Sequence, residues 1–511
     1  MARLTHRLGC APALVLAPLL VLLAACIGPV EVAADSPGLL IGDVQGAGAS
    51  SPLEGEFVTL SGVVTGDFQQ DFELRGFYMQ DPEPDGDPST SDGIFVFEEE
   101  TDVRQGDLVF VSGRVAEFRG QTELTDVTDI TVAGTLPLPE PARVTLPLED
   151  AGEWERLEGM LVQVHGADGH LTVVDNHHLG RGGLVTLASE RLFQFTETNR
   201  PDPAGYREFL RSLQGRTVLL DDGRRRQNPS FIPYSAGGAQ LDAEATLRVG
   251  DSTTTVTGVL AYGSSGWDGT DGWRIHPIEP VDFQAANPRP PAPPAVGGSI
   301  RVAALNLLNL FDGDGRGGGL QSGRGADDPR ELRRQLEKLV SAMLALDADV
   351  IGLSELENDG GGALTTLVEA LNDRAGAGAY AQLEAGGIGT DEITVGMIYR
   401  PATIRPLGGH RVLNSSRQDA RHDLARAFRD ELNRPALAQL FEEIASGERL
   451  TVVVAHLKSK GSSCGFTGDP DRGDGQGECN GVRTAAARAI GEWGHDLALE
   501  WDDPDVLIVG D

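Results

Sequence analysis

Residues 349–358 read DVIGLSELEN, and this stretch decides the fold of the C-terminal part of the chain. Val350 to Leu353 is a short apolar run that leads to Glu355. A run this short and this apolar reads as a strand buried on both faces. Three other runs follow the same plan. Ile300 to Leu305 ends at Asn306, Leu450 to Ala455 ends at His456, and Val506 to Val509 leads through Gly510 to Asp511. Thr394 to Tyr399 is a further strand, stopped by Arg400-Pro401. Helical patterns lie between the strands. Asp328-Pro329 opens one, with Pro at its first position, and Leu332, Leu336, Leu339, Val340, Met343 and Leu344 share one face. Arg483 to Leu499 is Ala-rich and helical. Strands separated by helices predict an α/β domain over residues 299–511.

A lone Glu after a strand is usually solvated surface. Four polar groups closing four strands are a stronger signal, because strand ends converge at one rim of a sheet, where ligands bind. Asn306, Glu355, His456 and Asp511 are therefore the candidate site. Hard oxygen ligands such as Asn and Glu suit Mg²⁺ or Mn²⁺.

Upstream, residues 284–298 read QAANPRPPAPPAVGG, an extended Pro-rich linker. Before it lie two β-rich units, 38–135 and 140–283. In the first, Phe57 to Leu60, Gly62 to Val64, Gly93 to Phe97 and Leu108 to Val111 read as short strands bounded by Gly, Asp or Pro. Leu53-Glu54-Gly55 with Val58 and Gly62 recurs as Leu157-Glu158-Gly159 with Val162 and Gly166 at a constant offset. Later, Gly106-Asp107 before Val111 and Gly113 recurs as Gly250-Asp251 before Val256 and Gly258. Two related modules are expected, the second carrying about 40 extra residues between its landmarks.

The N-terminus reads as an export signal: Arg3 and Arg7, then the apolar run Ala13 to Leu23, too short to span a bilayer. Leu23-Ala24-Ala25-Cys26 resembles a bacterial lipobox, which implies a lipoprotein signal over residues 1–26 with cleavage just before Cys26, which is lipidated and becomes the mature N-terminus; residues 27–37 would be a tether. The following residue is Ile27 rather than Asp, which in a Gram-negative host implies an outer-membrane or cell-surface lipoprotein. Cys464 and Cys479 then remain in an exported chain, and a disulfide is their natural state, contributing about 3 kcal/mol by loop closure.

The 511-residue chain has 42 Lys+Arg against 77 Asp+Glu, a net charge of −35. General attraction to a polyanion is excluded, so a phosphate site must gather positive charge locally. Only three lysines exist, and two of them, Lys458 and Lys460, follow His456 directly. The acidic loops Asp81/Glu83/Asp85/Asp87/Asp92, Asp312/Asp314 and Asp469/Asp471/Asp474 could take Ca²⁺. None has the full twelve-residue calcium pattern, and solvated loops are the expectation. His177 and His178 read as surface.

RVAALNLLNLF (301–311), DVIGLSELEN, VGMIYRP (395–401), NRPALAQ (433–439), VVAHLKSKGSSC (453–464), GECNGVRTAAA (477–487) and VLIVGD (506–511) together resemble the endonuclease/exonuclease/phosphatase superfamily. They are most similar to its secreted ExeM/NucH-type nucleases, and the two upstream units resemble the OB-fold-like modules of that type. The resemblance implies a four-layer α+β sandwich behind two all-β OB-like modules, and an extracellular metal-dependent endonuclease acting on DNA more than RNA. It implies that Glu355, Asn306 and Asp511 hold the metal. His456 would contact phosphate as general acid or electrostatic stabiliser, and Arg434, Lys458, Lys460 and Arg483 would bind phosphate or DNA. Asp391 is a weaker candidate for orienting a catalytic side chain. A phosphatase or phospholipid phosphodiesterase on the same scaffold, or a non-catalytic polymer-binding lipoprotein, are the alternatives. Nothing in the sequence indicates a protein partner.

The family pattern continues beyond Asp511 into an Asn and a terminal Ser-Asp-His segment. The expectation is a sequence incomplete at its C-terminus. In a plasmid-nicking assay with Mg²⁺, the 511-residue chain should cut little beside one extended through a Ser-Asp-His segment; strong cutting by the shorter chain overturns this.

Overall fold

A computed structural model describes residues 38–234, 240–242, 245–264, 271–295, 297–313, 323–415 and 427–511. Cys26, the signal segment, the tether and Asp314 lie outside the described residues. No described helix is long and apolar enough to cross a membrane.

The first unit is a closed barrel of β1 (Phe57–Phe68), β2 (Gly76–Gln80), β3 (Gly93–Val96), β4 (Asp107–Phe118) and β5 (Gln121–Thr135), in the order β1-β2-β3-β5-β4. Closure removes the exposed edges that five isolated strands would present. Leu60, Val64, Phe77, Met79, Ile94, Val109, Val111 and Leu124 fill the interior, and a short helix, Ile41–Gln45, adds Ile41 and Val44. The runs read separately as Phe57–Leu60 and Gly62–Val64 are one strand, because Gly62 stays in register opposite Val109.

The second unit contains β6 (Ala142–Leu146), β7 (Leu161–Gly166), β8 (Leu171–Asp175), β9 (Leu184–Ala188), β10 (Thr217–Asp221), β11 (Ser252–Thr253), β12 (Val256–Ser264) and β13 (Asp271–Pro277). They form an eight-stranded sheet ordered β11-β8-β9-β10-β13-β12-β7-β6, where a second small barrel was expected. The difference lies at β7 and β8, two short strands that pair where the single long β1 pairs in the barrel, while β9 pairs with β10 and β10 with β13 as β2 pairs with β3 and β3 with β5. The shared landmarks nevertheless pair alike. Val58 opposes Gly113 and Leu60 opposes Val111 in the barrel; Val162 opposes Gly258 and Val164 opposes Val256 in the sheet. Phe68, Tyr78 and Phe95 of the barrel pack on Val259 and Ala261 of the sheet, and Gln80 Oε1 accepts from Leu161 N at 2.9 Å. The run 284–298 is not wholly linker: Gln284 pairs with Ser252, and Asn287 Nδ2 donates to Val249 O at 2.7 Å.

In the third unit two sheets stack. One contains β14 (Val302–Leu310), β15 (Val350–Glu357), β16 (Ala381–Gln382) and β17 (Ile393–Tyr399), ordered β14-β15-β17-β16. The other contains β18 (Ile404–Leu413), β19 (Arg434–Glu443), β20 (Arg449–His456) and β21 (Val506–Gly510) in that order. Val350, Met397, Leu437, Phe441, Val452 and Val454 form the core between them. The Pro329–Leu346 and Gly362–Ala375 helices pack Met343, Leu367 and Leu371 on the outer face of the first sheet. The Asn480–Trp501 helix packs Ala489, Ile490 and Trp493 on the outer face of the second. Asp328 caps the first of these helices, accepting from Arg330 N and Glu331 N at 2.7 and 2.9 Å. β14 and β15 run parallel, as do β20 and β21, so their C-terminal ends face the same rim.

The sheets approach closely at Gly352, where a Cβ would meet Val454 Cγ2 at 2.6 Å and Val509 Cγ2 at 3.0 Å. Gly352→Val should therefore destabilise the protein by about 1–3 kcal/mol through overpacking. Gly491, on the exposed side of its helix with open space around it, should instead give up to about 1 kcal/mol of stabilisation as Gly491→Ala. Denaturant unfolding of both variants checks the pair; an unchanged midpoint for Gly352→Val would show that the sheets are not in contact there.

Candidate active site

Two backbone irregularities build the site. β14 and β15 pair regularly to Asn306 opposite Ser354, then resume only at Leu310 opposite Leu356. Between these points Leu308 and Asn309 take left-handed φ of 55° and 52°. Gln335 Nε2 holds this bend by donating to Leu307 O and Leu308 O at 2.9 and 3.0 Å. On its other side β15 breaks register with β17 between Leu353 and Leu356, and Glu355 there has φ 61°. A Glu in this region is strained, and bulges of this kind re-aim a side chain. Asn306 and Glu355 thus lie inside bulged strands, where the sequence placed them just past strand ends.

The side chains meet across the sheets. Asn306 Nδ2 donates to Glu355 Oε1 at 2.9 Å and to Asp511 Oδ2 at 2.7 Å, while its Oδ1 accepts from Leu308 N at 2.8 Å. Asn309 N donates to Glu355 Oε2 at 3.0 Å. Asp511 N donates to Ala455 O and Leu457 N to Asp511 O, at 3.0 and 2.8 Å, extending the β20–β21 ladder to the rim. Ligand atoms of Glu355, His456 and Asp511 all lie within 4.8 Å of one another.

His456 is buried, and its Nδ1 has no hydrogen-bond partner. Burial first, then the Arg434 cation, holds its imidazole below its ordinary pKa, against the opposing pull of Asp511, Glu355 and Asp391. Arg434 sits directly across from His456 in the β19–β20 ladder. Its Nε lies 3.1 Å from Asp391 Oδ2 without hydrogen-bond alignment, so this contact is one of charge. Asp391 thus faces Arg434, and Asn358 Nδ2 pins its loop by donating to Asp391 O at 2.9 Å. Lys458 N donates to Asn433 Oδ1 at 3.0 Å, and burial followed by Arg434 lowers the Lys458 ammonium.

The structure gives Arg483 a different task from the expected phosphate contact. Its guanidinium donates to the carbonyls of Gln476 at 2.7 Å, Lys458 at 3.4 Å and Glu478, tying the cysteine loop to β20. Cys464 and Cys479 form a buried disulfide at the base of that loop. Lys460 lies exposed at its start. The sequence reading missed Asn433, Asn358 and Gln335; the first two stand in quoted motifs, and nothing local marks Gln335.

The acidic loops serve the main chain. Asp81 and Asp92 are buried, contrary to the solvated reading: Asp81 Oδ2 accepts from Ile41 N at 2.9 Å and Asp92 Oδ1 from Asp85 N at 3.1 Å. Asp469, Asp471 and Asp474 accept from Val482 N, Gly473 N and Gln476 N. Asp312 gathers with Glu357 and Asp359, but Asp359 caps the Gly362–Ala375 helix and Glu357 accepts from Asp312 N.

No family model and no curated protein matches the chain. Solved structures similar to part of it include a humanised TDP2 from D. rerio (16% identity, TM-score 0.25). Others are the human Nocturnin catalytic domain with bound sulfate (14%, 0.27) and an endonuclease/exonuclease/phosphatase family protein from Bacteroides thetaiotaomicron (16%, 0.25). Each likeness covers 42% of this chain, which spans 65, 63 and 62% of those three chains respectively.

Asn306 is the only hydrogen-bond donor shown between Glu355 and Asp511 among the described residues. Asn306→Asp replaces that donor with a third negative charge, so it should cost about 1–3 kcal/mol in chelator. Added Mn²⁺ should restore much of the loss. Thermal melts with and without Mn²⁺ decide this, and equal melting of both proteins in chelator refutes it.

Proposed function

We propose that the chain is an exported, divalent-metal-dependent endonuclease that hydrolyses phosphodiester bonds, with DNA as substrate ahead of RNA. The observation that carries this reading is the convergence of Asn306, Glu355, His456 and Asp511, from four strands of two sheets, on one rim beside Arg434. The residues fit a hard cation: two carboxylates and an imidazole lie within mutual reach, and the imidazole has a buried unpartnered nitrogen. Glu355, Asp511 and Asn306 would hold Mg²⁺ or Mn²⁺, which supplies charge neutralisation at phosphoryl oxygens.

The chain's own groups do the rest. Asn306 sets the spacing of Glu355 and Asp511. Arg434, largely buried and aimed at the same rim, would bind a non-bridging phosphate oxygen. His456 would donate a hydrogen bond to the phosphate. Lys458 and Lys460 would receive flanking phosphates, giving a chain of charge −35 its local foothold. Leu308, 76% exposed and two residues from Asn306, offers an apolar contact beside the scissile bond. We read the five-stranded barrel as OB-like from its strand order. Lipidation at Cys26 would place the enzyme at the outer membrane or cell surface.

In a chain extended through the Ser-Asp-His segment, plasmid nicking should require Mg²⁺ or Mn²⁺. It should fall roughly a hundredfold or more in both Glu355→Gln and His456→Ala. Unchanged nicking in Glu355→Gln refutes the site. Cleavage of nitrophenyl phosphate or sphingomyelin with nucleic acid untouched replaces the nuclease by a phosphatase or lipid phosphodiesterase.

A further inference from the structure

The sequence contains one run of three consecutive basic residues, Arg224-Arg225-Arg226. It lies in the second unit, in the loop after β10. The loop is fastened to the barrel: Arg225 N donates to Phe72 O at 2.9 Å, in the turn between β1 and β2. Arg224 stands between two phenyl rings, 5.9 Å from the Phe72 centroid and 5.7 Å from that of Phe231, and donates to Phe231 O at 2.7 Å. Arg226 lies 5.9 Å from the Phe72 ring. Phe231 is 43% exposed. The Arg225 side chain is exposed and has no hydrogen bond or ion pair among the described residues. The patch continues on the barrel, where Arg75 lies 5.7 Å from the ring of the exposed Phe97.

Acidic groups border the patch. Asp71 pairs with Arg226 at 3.3 Å, both highly exposed, and Arg75 binds Glu99, whose carboxyl it and Arg225 hold below the usual range. Glu73 faces Arg224, and Asp222 accepts from Arg224 N at 3.0 Å. Exposed pairs such as Arg226–Asp71 contribute little and exchange readily for a phosphate. Guanidinium groups interleaved with exposed phenyl faces form a surface that takes both phosphates and bases. In a chain carrying −35, such a cluster runs against the overall charge.

We propose that the Arg224–Arg226 loop and the Phe72/Phe231 rings form a binding site for single-stranded nucleic acid at the junction of the two β units. Arg225 and Arg226 contact phosphates, and Phe231 stacks on a base. Single strands are favoured over a lipid surface or a sulfated polysaccharide because the rings flank the cations and neither of those polyanions has a base to stack.

The test is fluorescence anisotropy with the full chain carrying Glu355→Gln, in chelator, so that no turnover occurs. The probe is a labelled oligothymidylate of roughly 20 nucleotides, longer than the ~4–16 that one small barrel covers. Binding should weaken about tenfold or more in Arg225→Glu, with a shallower salt dependence, and by a similar factor in Phe231→Ala. A heparin fragment should bind more weakly than the oligonucleotide and ignore Phe231→Ala. No binding at low salt, or binding unchanged in Arg225→Glu, overturns the proposal. So does heparin binding as tight as oligonucleotide binding, with Phe231→Ala silent toward both. Because binding is read without metal, its failure leaves the nuclease reading standing, and loss of nicking leaves this site standing.

Discussion

The two amide hydrogens of Asn306 reach carboxylates that belong to different sheets, Glu355 on β15 and Asp511 at the end of β21. Two carboxylates brought this close repel unless a donor or a cation stands between them. The amide satisfies both geometrically but carries no net charge, so the arrangement stays electrostatically poised for a cation. Everything around it keeps that geometry fixed. Gln335 holds the β14 bend, Asn309 N holds the second Glu355 oxygen, and Gly352 lets the sheets approach closely enough for their rims to meet.

Charge is distributed by locality rather than by total. Arg434 reaches the rim with Asp391 beside it, directly opposite His456. Burial first, and then that cation, keep His456 below its ordinary pKa. The basic groups next in line, Lys458 and Arg483, are divided in function. The first is held by its backbone to Asn433, while the second is consumed in bracing the disulfide loop.

Much of the C-terminal fold was legible because its strands are short apolar runs and its helices carry clear starts. Asp328-Pro329 marked one helix start, and the meeting of Asn306, Glu355, His456 and Asp511 was expected from the polar residue that closes each of four apolar runs. The bulges were not legible. Leu308, Asn309 and Glu355 adopt left-handed backbone that their side chains do not favour, and only tertiary contacts hold them there. Acidic loops misled in the other direction: Asp81 and Asp92 look solvated in sequence, yet each is buried against backbone donors. Arg483 looked like a phosphate ligand because a sequence does not reveal which carbonyls surround a guanidinium.

Barrel and sheet share one pairing scheme, Val58 with Gly113 and Val162 with Gly258, but only one of them closed on itself. A strand ladder of this kind tolerates long connections between its rungs, because loop length adds to the entropy cost only slowly. In the second unit the loop after β10 carries a cationic run across to the neighbouring barrel, where Arg225 N donates to Phe72 O. A loop of one module thus supplies surface at its junction with the other, while each module keeps its own core.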